Sequence, residues 1–356
     1  MNLGIRPVSL IHDRAEMIDI LNRSFGASQE LLFDWRHLEN PAGESWSWFL
    51  YDKANLAMVG MATVFPRIMR VGGKTLRGGQ VGEFIVDVNY RSLGPAVKLQ
   101  RTTFEPVDRG NIAFCYDCPP HDQGMSTFVR LGIRPSCNVY RYAIPFRSDE
   151  YFAKRIDQGF WTKAVVAAAN MLLRASATKG AARNIEIQRH AGRFSDEFSD
   201  LDDAEHVPGT VRSSRNADVL NWRYVEDPVV SVNLPGRAAG TYQILVARRR
   251  GELAAFVAFL IQPEGAAMLV DLFGVDSEVK LGLLEAALDA SRTEGASSFF
   301  GICSEESELK PIFKALGFRR RERSAQVVVY TGAVDCPIAQ IEPRVRWAFG
   351  QVEVML

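Results

Sequence analysis

Phe33-Asp-Trp-Arg-His-Leu-Glu-Asn-Pro41 and Leu220-Asn-Trp-Arg-Tyr-Val-Glu-Asp-Pro228 spell one pattern twice: W-R-x-x-E-x-P, with Trp35 and Trp222 placed 187 residues apart. A second pair lies downstream. Phe128-Val-Arg-Leu-Gly-Ile-Arg134 matches Phe313-Lys-Ala-Leu-Gly-Phe-Arg319 at an offset of 185 residues. Two motifs recurring at nearly one offset indicate a duplicated unit, and a duplication constrains the fold before any single element is read.

The segments between the motifs agree in kind. In the first half Leu56–Phe65 alternates apolar residues and Gly82–Val88 reads as a buried strand. Tyr242–Ala247, Leu253–Ile261 and Ala267–Val275 play the same parts in the second half. Helical stretches follow at Ala96–Phe104 and Leu281–Glu294, then short apolar strands at Asn111–Cys115 and Ser297–Ile302. A helix ending in Leu-Gly closes each half, with Gly132 and Gly317 suited to the residue just past a helix end. The order strands, helix, strand, helix, strand predicts an α/β unit built twice.

Between the halves Phe160–Ala177 is rich in Ala, Met and Leu and lacks Gly and Pro, so it reads as a helix. It is either a connector packed between the units or a helix lying in a membrane surface, with Lys163, Arg174 and Lys179 toward headgroups. Arg193–Glu205 is acidic and reads as an exposed helix or loop. The expectation is therefore an α/β protein of two tandem mixed-sheet domains, residues 1–148 and 206–356, joined by a helical linker over 149–205.

Composition narrows the function. With 356 residues, 47% of them hydrophobic, the chain can bury a full core without disulfides or metal. Lys and Arg number 42, as do Asp and Glu. Zero formal charge disfavours duplex nucleic acid, whose binding rests on neutralising phosphates. Five scattered cysteines fit a reducing, cytoplasmic setting better than a disulfide framework. Cys115-x-x-Cys118 stands alone, without the second Cys pair or His pair of a zinc site, so no metal is expected. The start Met-Asn-Leu-Gly-Ile-Arg lacks a signal-peptide core, and no apolar run reaches the ~20 residues of a spanning helix.

The sharpest local motif is Val86-Asp-Val-Asn-Tyr-Arg-Ser-Leu-Gly-Pro-Ala96, which sets Arg91-x-x-Gly94-x-Ala96 after a strand and before a helix. Small residues allow a diphosphate to approach the backbone, and the N–H groups at a helix start point at the anion. Arg91 can add a charge-assisted bond. The motif resembles the acyl-CoA pyrophosphate loop of the GNAT (GCN5-related acetyltransferase) family, Q/R-x-x-G-x-G/A. The resemblance implies acetyl-CoA or another acyl-CoA as donor, held by Arg91, Ser92, Leu93, Gly94 and Ala96, with main-chain N–H groups near Val86 or Val88 facing the thioester carbonyl. Pro95 departs from the family loop and removes one N–H. The second half has no such loop; Asp276 and Glu278 stand where phosphate would approach and repel it.

The Leu-Gly helix resembles the family's Tyr-x-x-x-Gly-Phe pattern, whose tyrosine in many members protonates the leaving thiolate. Val129 and Phe313 stand there instead. The doubled arrangement is similar to Fem-type peptidoglycan aminoacyltransferases and to acyltransferases of polysaccharide-assembly clusters.

Acyl transfer needs a base for the acceptor and an acid for the thiolate. Glu83 lies in an apolar strand between Gly82 and Phe84, where many GNAT enzymes keep a catalytic glutamate; isolation there would raise its pKa. The alternative is a structural glutamate paired with an arginine. Tyr116, Asp117 and His121 read as a loop beside the cleft, with Tyr116 or His121 as the acid. A Cys115 or Cys118 nucleophile with His121 is a rival that a single short loop rarely poises. Trp35 and Trp222 read as core anchors with a local Arg–Glu pair, or else Arg36 or Arg223 lines an acceptor groove. Arg319–Arg323 reads as a solvated strand edge or a site for an anionic acceptor such as a lipid-linked sugar diphosphate.

These readings converge on an acyl-CoA-dependent N-acyltransferase, an N-acetyltransferase by preference. Its acceptor would be an amino-sugar or a cell-envelope or exopolysaccharide precursor, small or lipid-linked, met in the cytoplasm or at the inner membrane face. Two alternatives stay open: aminoacyl transfer from charged tRNA, and a non-catalytic sensor or scaffold.

Overall fold

The computed structural model describes residues 2–26, 29–119, 122–147, 185–205, 209–228, 241–332 and 346–347. The expected helix at Phe160–Ala177, as well as His121 and Cys336, lies outside the described residues.

The chain opens with β1 (Leu3–Pro7), α1 (Arg14–Phe25) and α2 (Glu30–His37), then a meander of β2 (Trp46–Asp52), β3 (Met58–Val71) and β4 (Lys74–Val86). A 3-10 turn at Val88–Tyr90 leads to α3 (Leu93–Thr102), α4 (Glu105–Asp108), β5 (Cys115–Asp117), α5 (Asp122–Arg130) and β6 (Pro135–Pro145). The second half begins with β7 (Glu186–Arg189), α6 (Asp196–Ala204), β8 (Thr210–Ser213) and α7 (Ala217–Tyr224). It continues through β9 (Gln243–Arg249), β10 (Glu252–Ile261), β11 (Ala266–Gly274), α8 (Ser277–Thr293), β12 (Ser298–Ser304), α9 (Leu309–Ala315) and β13 (Arg319–Tyr330), with β14 (Arg346–Trp347) beside β8.

The main path of the sheet runs β1-β2-β3-β4-β5-β13-β6-β12-β11-β10-β9-β7. Read inward from either end it is the same series. Along this path the pairs are antiparallel except β4–β5 and β11–β12, which are parallel. The centre holds the exception to simple repetition: β13 lies against β5, and β6 against β12. The last strand of each half thus closes the sheet of the other, and the two also pair with each other.

Residue alternation explains the layers. On β2, Phe49 faces α1 and α2 in a cluster with Met17, Phe33 and Met61, while Trp48 and Leu50 face the opposite side with Leu99 of α3 and Val107 of α4. The second half copies this: α8 and α9 pack on Ala247, Val257 and Leu269, whereas α6 packs on Val246, Phe256 and Val270.

The repeated tryptophans meet where the halves join. Trp35 of α2 and Trp222 of α7 stack at 4.8 Å, and both are buried. Trp35 Nε1 donates to the Trp222 carbonyl at 2.8 Å, and Trp222 Nε1 to the Trp35 carbonyl at 2.9 Å. They are core anchors, but the expected local Arg–Glu pairs do not form: Arg36 turns to Glu83, and Glu226 pairs with Arg193 at 2.8 Å. The Leu-Gly motifs also fold alike. Gly132 and Gly317 take φ of 79° and 80°, and Ile133 N and Phe318 N bond to the carbonyls of Phe128 and Phe313, both at 2.9 Å. This alignment makes Phe128, not Val129, the counterpart of Phe313.

Several boundaries move. The acidic segment is not simply exposed: Phe198 and Leu201 of α6 enter the core, and Asp202 is buried against Arg212 and Ser214. Residues 186–204, expected as linker, instead extend the second half, because β7 is its outer strand beside β9. Arg319–Arg323 opens a central strand rather than an edge, with β6 alongside, although its side chains stay exposed.

Candidate active site

Parallel pairing of β4 and β5 is brief, limited to Gly79↔Cys115 and Gln80↔Tyr116. β5 ends at Asp117, while β4 runs on to Val86 paired only with β3. The strands therefore part, and β4 from Val81 onward presents an unpaired ladder edge to the opening. A β-bulge sits on this stretch: Thr63 faces Gly82 and Met61 faces Ile85, so Glu83 and Phe84 together oppose Ala62. Glu83 takes φ of 49°, a left-handed value that costs a non-glycine residue of order 1 kcal/mol.

The bulge turns the Glu83 side chain into a buried polar cluster on the α2 face. Thr63 Oγ1 donates to its Oε2 at 3.1 Å, and Ser47 meets Thr63 at 2.9 Å. Arg36 Nη1 lies 3.4 Å from Oε1, and His37 Nε2 lies 3.4 Å from Oε2. His37 is fully buried, stacked on Phe33, and its Nδ1 is 2.7 Å from Ser45 Oγ. Glu83 is thus not isolated. Burial pushes its pKa up, but His37, Arg36 and Thr63 outweigh that and hold it below the ordinary carboxylate value. The expected rise is overturned, because α2 brings His37 and Arg36 to the carboxylate, and the alternative of a glutamate paired with an arginine matches the geometry.

The opening leads to the phosphate-loop motif. Val86 ends β4 and its carbonyl accepts from Arg91 Nε at 2.9 Å. Val88 is not on the strand but in the exposed 3-10 turn, so only Val86 remains at the strand end. Arg91, Ser92 and Gly94 are exposed, and no other bond holds the Arg91 guanidinium among the described residues. Ser92 is the N-cap of α3, but its side chain makes no cap bond, and the first turn has no acidic residue. The N–H groups of Leu93 and Gly94 are thus the helix's open donors, Pro95 having none, while Ala96 N turns back to Ser92 O at 3.4 Å. A Cβ at Gly94 would meet nothing within 4 Å, so no neighbour in the chain requires glycine there. Open donors, a vacant approach and an adjacent cation suit a diphosphate.

The corresponding opening in the second half is filled by the chain itself. β11 and β12 pair only from Ala266↔Ser298 to Met268↔Phe300. Beyond lies a cavity of about 60 Å³, lined in part by Arg215, Asp271, Lys280 and Glu308. Arg215 grips Asp271 with two bonds of 3.2 Å, and Lys280 lies 3.2 Å from Glu308. At the start of α8, Asp276 accepts from Glu278 N at 2.7 Å and Val279 N at 3.3 Å, and pairs with Arg249 at 2.8 Å. A carboxylate of the chain occupies the donors that a phosphate would need, a more direct exclusion than charge repulsion.

Tyr116 is not in a loop. It is the middle of β5, is 1% exposed, and donates to Gln80 Oε1 at 3.4 Å. Asp117 follows at the strand end, where burial pushes its carboxyl up to about 7. Cys115 sits in the α3 face of the core, its thiol pushed well up by burial, which removes the thiolate a nucleophile requires. Arg36 and Arg223 are both buried. Sequence reading missed the polar partners His37, Thr63, Arg67 and Gln80; Arg67, on the same strand face as Thr63 and Phe65, was the visible sign. Among the described residues no His, Cys, Asp and Glu group suits a metal ion, and no helix is long and apolar enough to cross a membrane.

Residues 5–122 match the model of the acetyltransferase (GNAT) domain family. No curated protein gives a significant sequence match. In fold the chain is similar to a probable N-acyltransferase from Enterococcus faecalis, with 12% identity, TM-score 0.62, and coverage of 93% of this chain and 72% of that one. It is also similar to a GCN5-related N-acetyltransferase from Anabaena variabilis (11% identity, TM-score 0.62, coverage 92% and 73%). A third likeness is to N-myristoyltransferase from Saccharomyces cerevisiae with bound myristoyl-CoA (12% identity, TM-score 0.54, coverage 93% and 83%). At identities of 11–12% these likenesses show a shared fold. The chain carries a GNAT acetyltransferase domain match over residues 5–122, within an α/β mixed-sheet fold shared along nearly its whole length with GCN5-related N-acetyltransferases.

Proposed function

We propose that the chain is an acyl-CoA-dependent N-acyltransferase, an N-acetyltransferase by preference, with one donor site per chain between β4 and β5. The carrying observation is the contrast at two helix starts: α3 keeps open donors beside Gly94 and Arg91, whereas Asp276 closes α8. Bound acyl-CoA supplies the acyl group as a thioester. Arg91, Ser92, Leu93, Gly94 and Ala96 hold the diphosphate, and the backbone near Val86 faces the carbonyl. Glu83, ionised at neutral pH, takes the proton of the acceptor amine. Tyr116 or His121 returns a proton to the thiolate, and Asp117 joins them as a carboxyl that keeps its proton near neutrality. Arg36 and Arg223 face the acceptor side. Two GNAT-like units that exchange their last strands account for the mirrored sheet order. The acceptor in this reading is an amino-sugar or envelope precursor, the class implied by the resemblance of the doubled motifs to polysaccharide-cluster acyltransferases.

Purified protein mixed with acetyl-CoA and amino-sugar acceptors is expected to release free thiol, and calorimetry to count one CoA per chain. No thiol release together with no CoA binding would sink the reading. Gly94→Val tests the cradle. Its side chain enters open space, so the melting temperature stays near wild type, while CoA affinity falls at least tenfold, about 1.4 kcal/mol. Unchanged affinity would remove Gly94 from the site.

A further inference from the structure

Three buried arginines surround the junction of the halves on the face that carries Glu83. Arg36 comes from α2, Arg67 from β3 and Arg223 from α7, with exposures of 5%, 7% and 8%. Arg67 binds Gln80 Oε1 through Nε at 3.2 Å and Nη2 at 3.0 Å, and its guanidinium lies 5.3 Å from the Trp222 ring centre. Burial pushes its pKa down to about 10, and the charges of Arg223 and Arg36 push the same way against Tyr116. Arg67 therefore feels both of the other guanidiniums across the joint.

Among the described residues two carboxylates act on them. Glu83 meets Arg36, and Asp227 acts on Arg36 while accepting the Tyr242 hydroxyl at 3.2 Å. Four buried nitrogens remain without a hydrogen-bond partner: Arg36 Nε and Nη2, Arg67 Nη1 and Arg223 Nε. Buried donors are almost always satisfied, and a guanidinium is satisfied best by an oxyanion. Arg36 is held by Glu83, and Arg67 by Gln80 and Tyr116, and these contacts leave the four nitrogens open. The second half shows what structural pairing looks like, with Arg215 held by both oxygens of Asp271.

We propose that Arg36, Arg67 and Arg223 form a binding site for an oxyanion of the acceptor, so that the acceptor is an amine whose molecule also carries a carboxylate or phosphate. This rests on the acyltransferase reading for the word acceptor; the oxyanion site stands on the arginines alone. Arg36 bridges the two functions, since Nη1 touches Glu83 while Nε and Nη2 are open. An acid group held there sets its amine within reach of the Glu83 carboxylate. Arg67 is the specificity residue in this arrangement, because it contacts neither Glu83 nor the phosphate loop.

Calorimetric titration with inorganic phosphate and, separately, with acetate tests the site on the full chain, with chloride held constant and CoA titrated in parallel. The expected result is saturable binding of at least one oxyanion, one per chain, weakened at least tenfold in Arg67→Gln. Arg67→Lys, which keeps the charge in the buried position, retains part of it, and CoA affinity is the same in all three proteins. The phosphate and acetate arms tell which acid group the acceptor bears. CoA binding without oxyanion binding, or oxyanion binding that Arg67→Gln leaves intact in a folded protein, overturns the proposal. Oxyanion binding without CoA binding supports the site and removes the acyltransferase reading instead.

Discussion

Glu83→Gln is expected to lower kcat by a factor of about 10²–10⁴, the usual range for losing a general base, with CoA affinity unchanged. Glutamine keeps the shape and can still accept from Thr63, but it holds no proton-accepting charge. The substitution also leaves Arg36 with an unpaired buried charge, which costs on the order of 3 kcal/mol. Activity and stability must therefore be read apart. In the double variant Glu83→Gln/Arg36→Met the unpaired charge is gone, so stability should return toward wild type while kcat stays low. If kcat recovers with stability, Glu83 is a structural partner of Arg36 and not the base. A pH series adds a sign. A carboxylate with a lowered folded pKa contributes stability above the ordinary carboxylate range and loses it as pH falls through the folded value. The Gln variant should lack that part of the acid-side loss.

Trp222→Ala is expected to cost about 3–5 kcal/mol, the range for deleting a large aromatic from a packed core. It removes the stack on Trp35 and the indole N–H that satisfies the Trp35 carbonyl, and it strips the ring from beside Arg67. Thermal melting should show a fall of roughly 5 °C or more. Trp35→Ala should cost a similar amount, and the double variant clearly less than the sum, because each ring is the other's partner. Additive losses would mean that the two residues anchor separate cores. The sheet makes that unexpected, since β6 and β13 tie the halves together at the same joint.

The recurring motifs were legible because they are written in residues whose work is local. A tryptophan on a short helix and a glycine past a helix end do the same job in each copy, so their identity and spacing survive. Strand positions in the second half were close for the same reason: Leu253–Ile261 against Glu252–Ile261, and Ala267–Val275 against Ala266–Gly274. β1 and β7, the outer strands, were missed because they are short and only partly apolar. Partners were not legible. Arg36 and Glu226 each carry a charge whose natural neighbour in sequence is the other end of W-R-x-x-E, yet each found a distant group instead.

By itself, then, the sequence determined the repeat, the α/β alternation and a single loop of Arg91, Gly94 and Ala96, each set by residues within a few positions of one another. The tertiary structure alone decided that the final strands are exchanged and that Glu83 is ionised beside Arg36 rather than isolated. Those outcomes depend on which strand edges and which charges come together across about fifty residues or more, for Glu83 and Arg36 a separation of 47. Pairing at that range is set by packing and desolvation, to which local spacing gives no access.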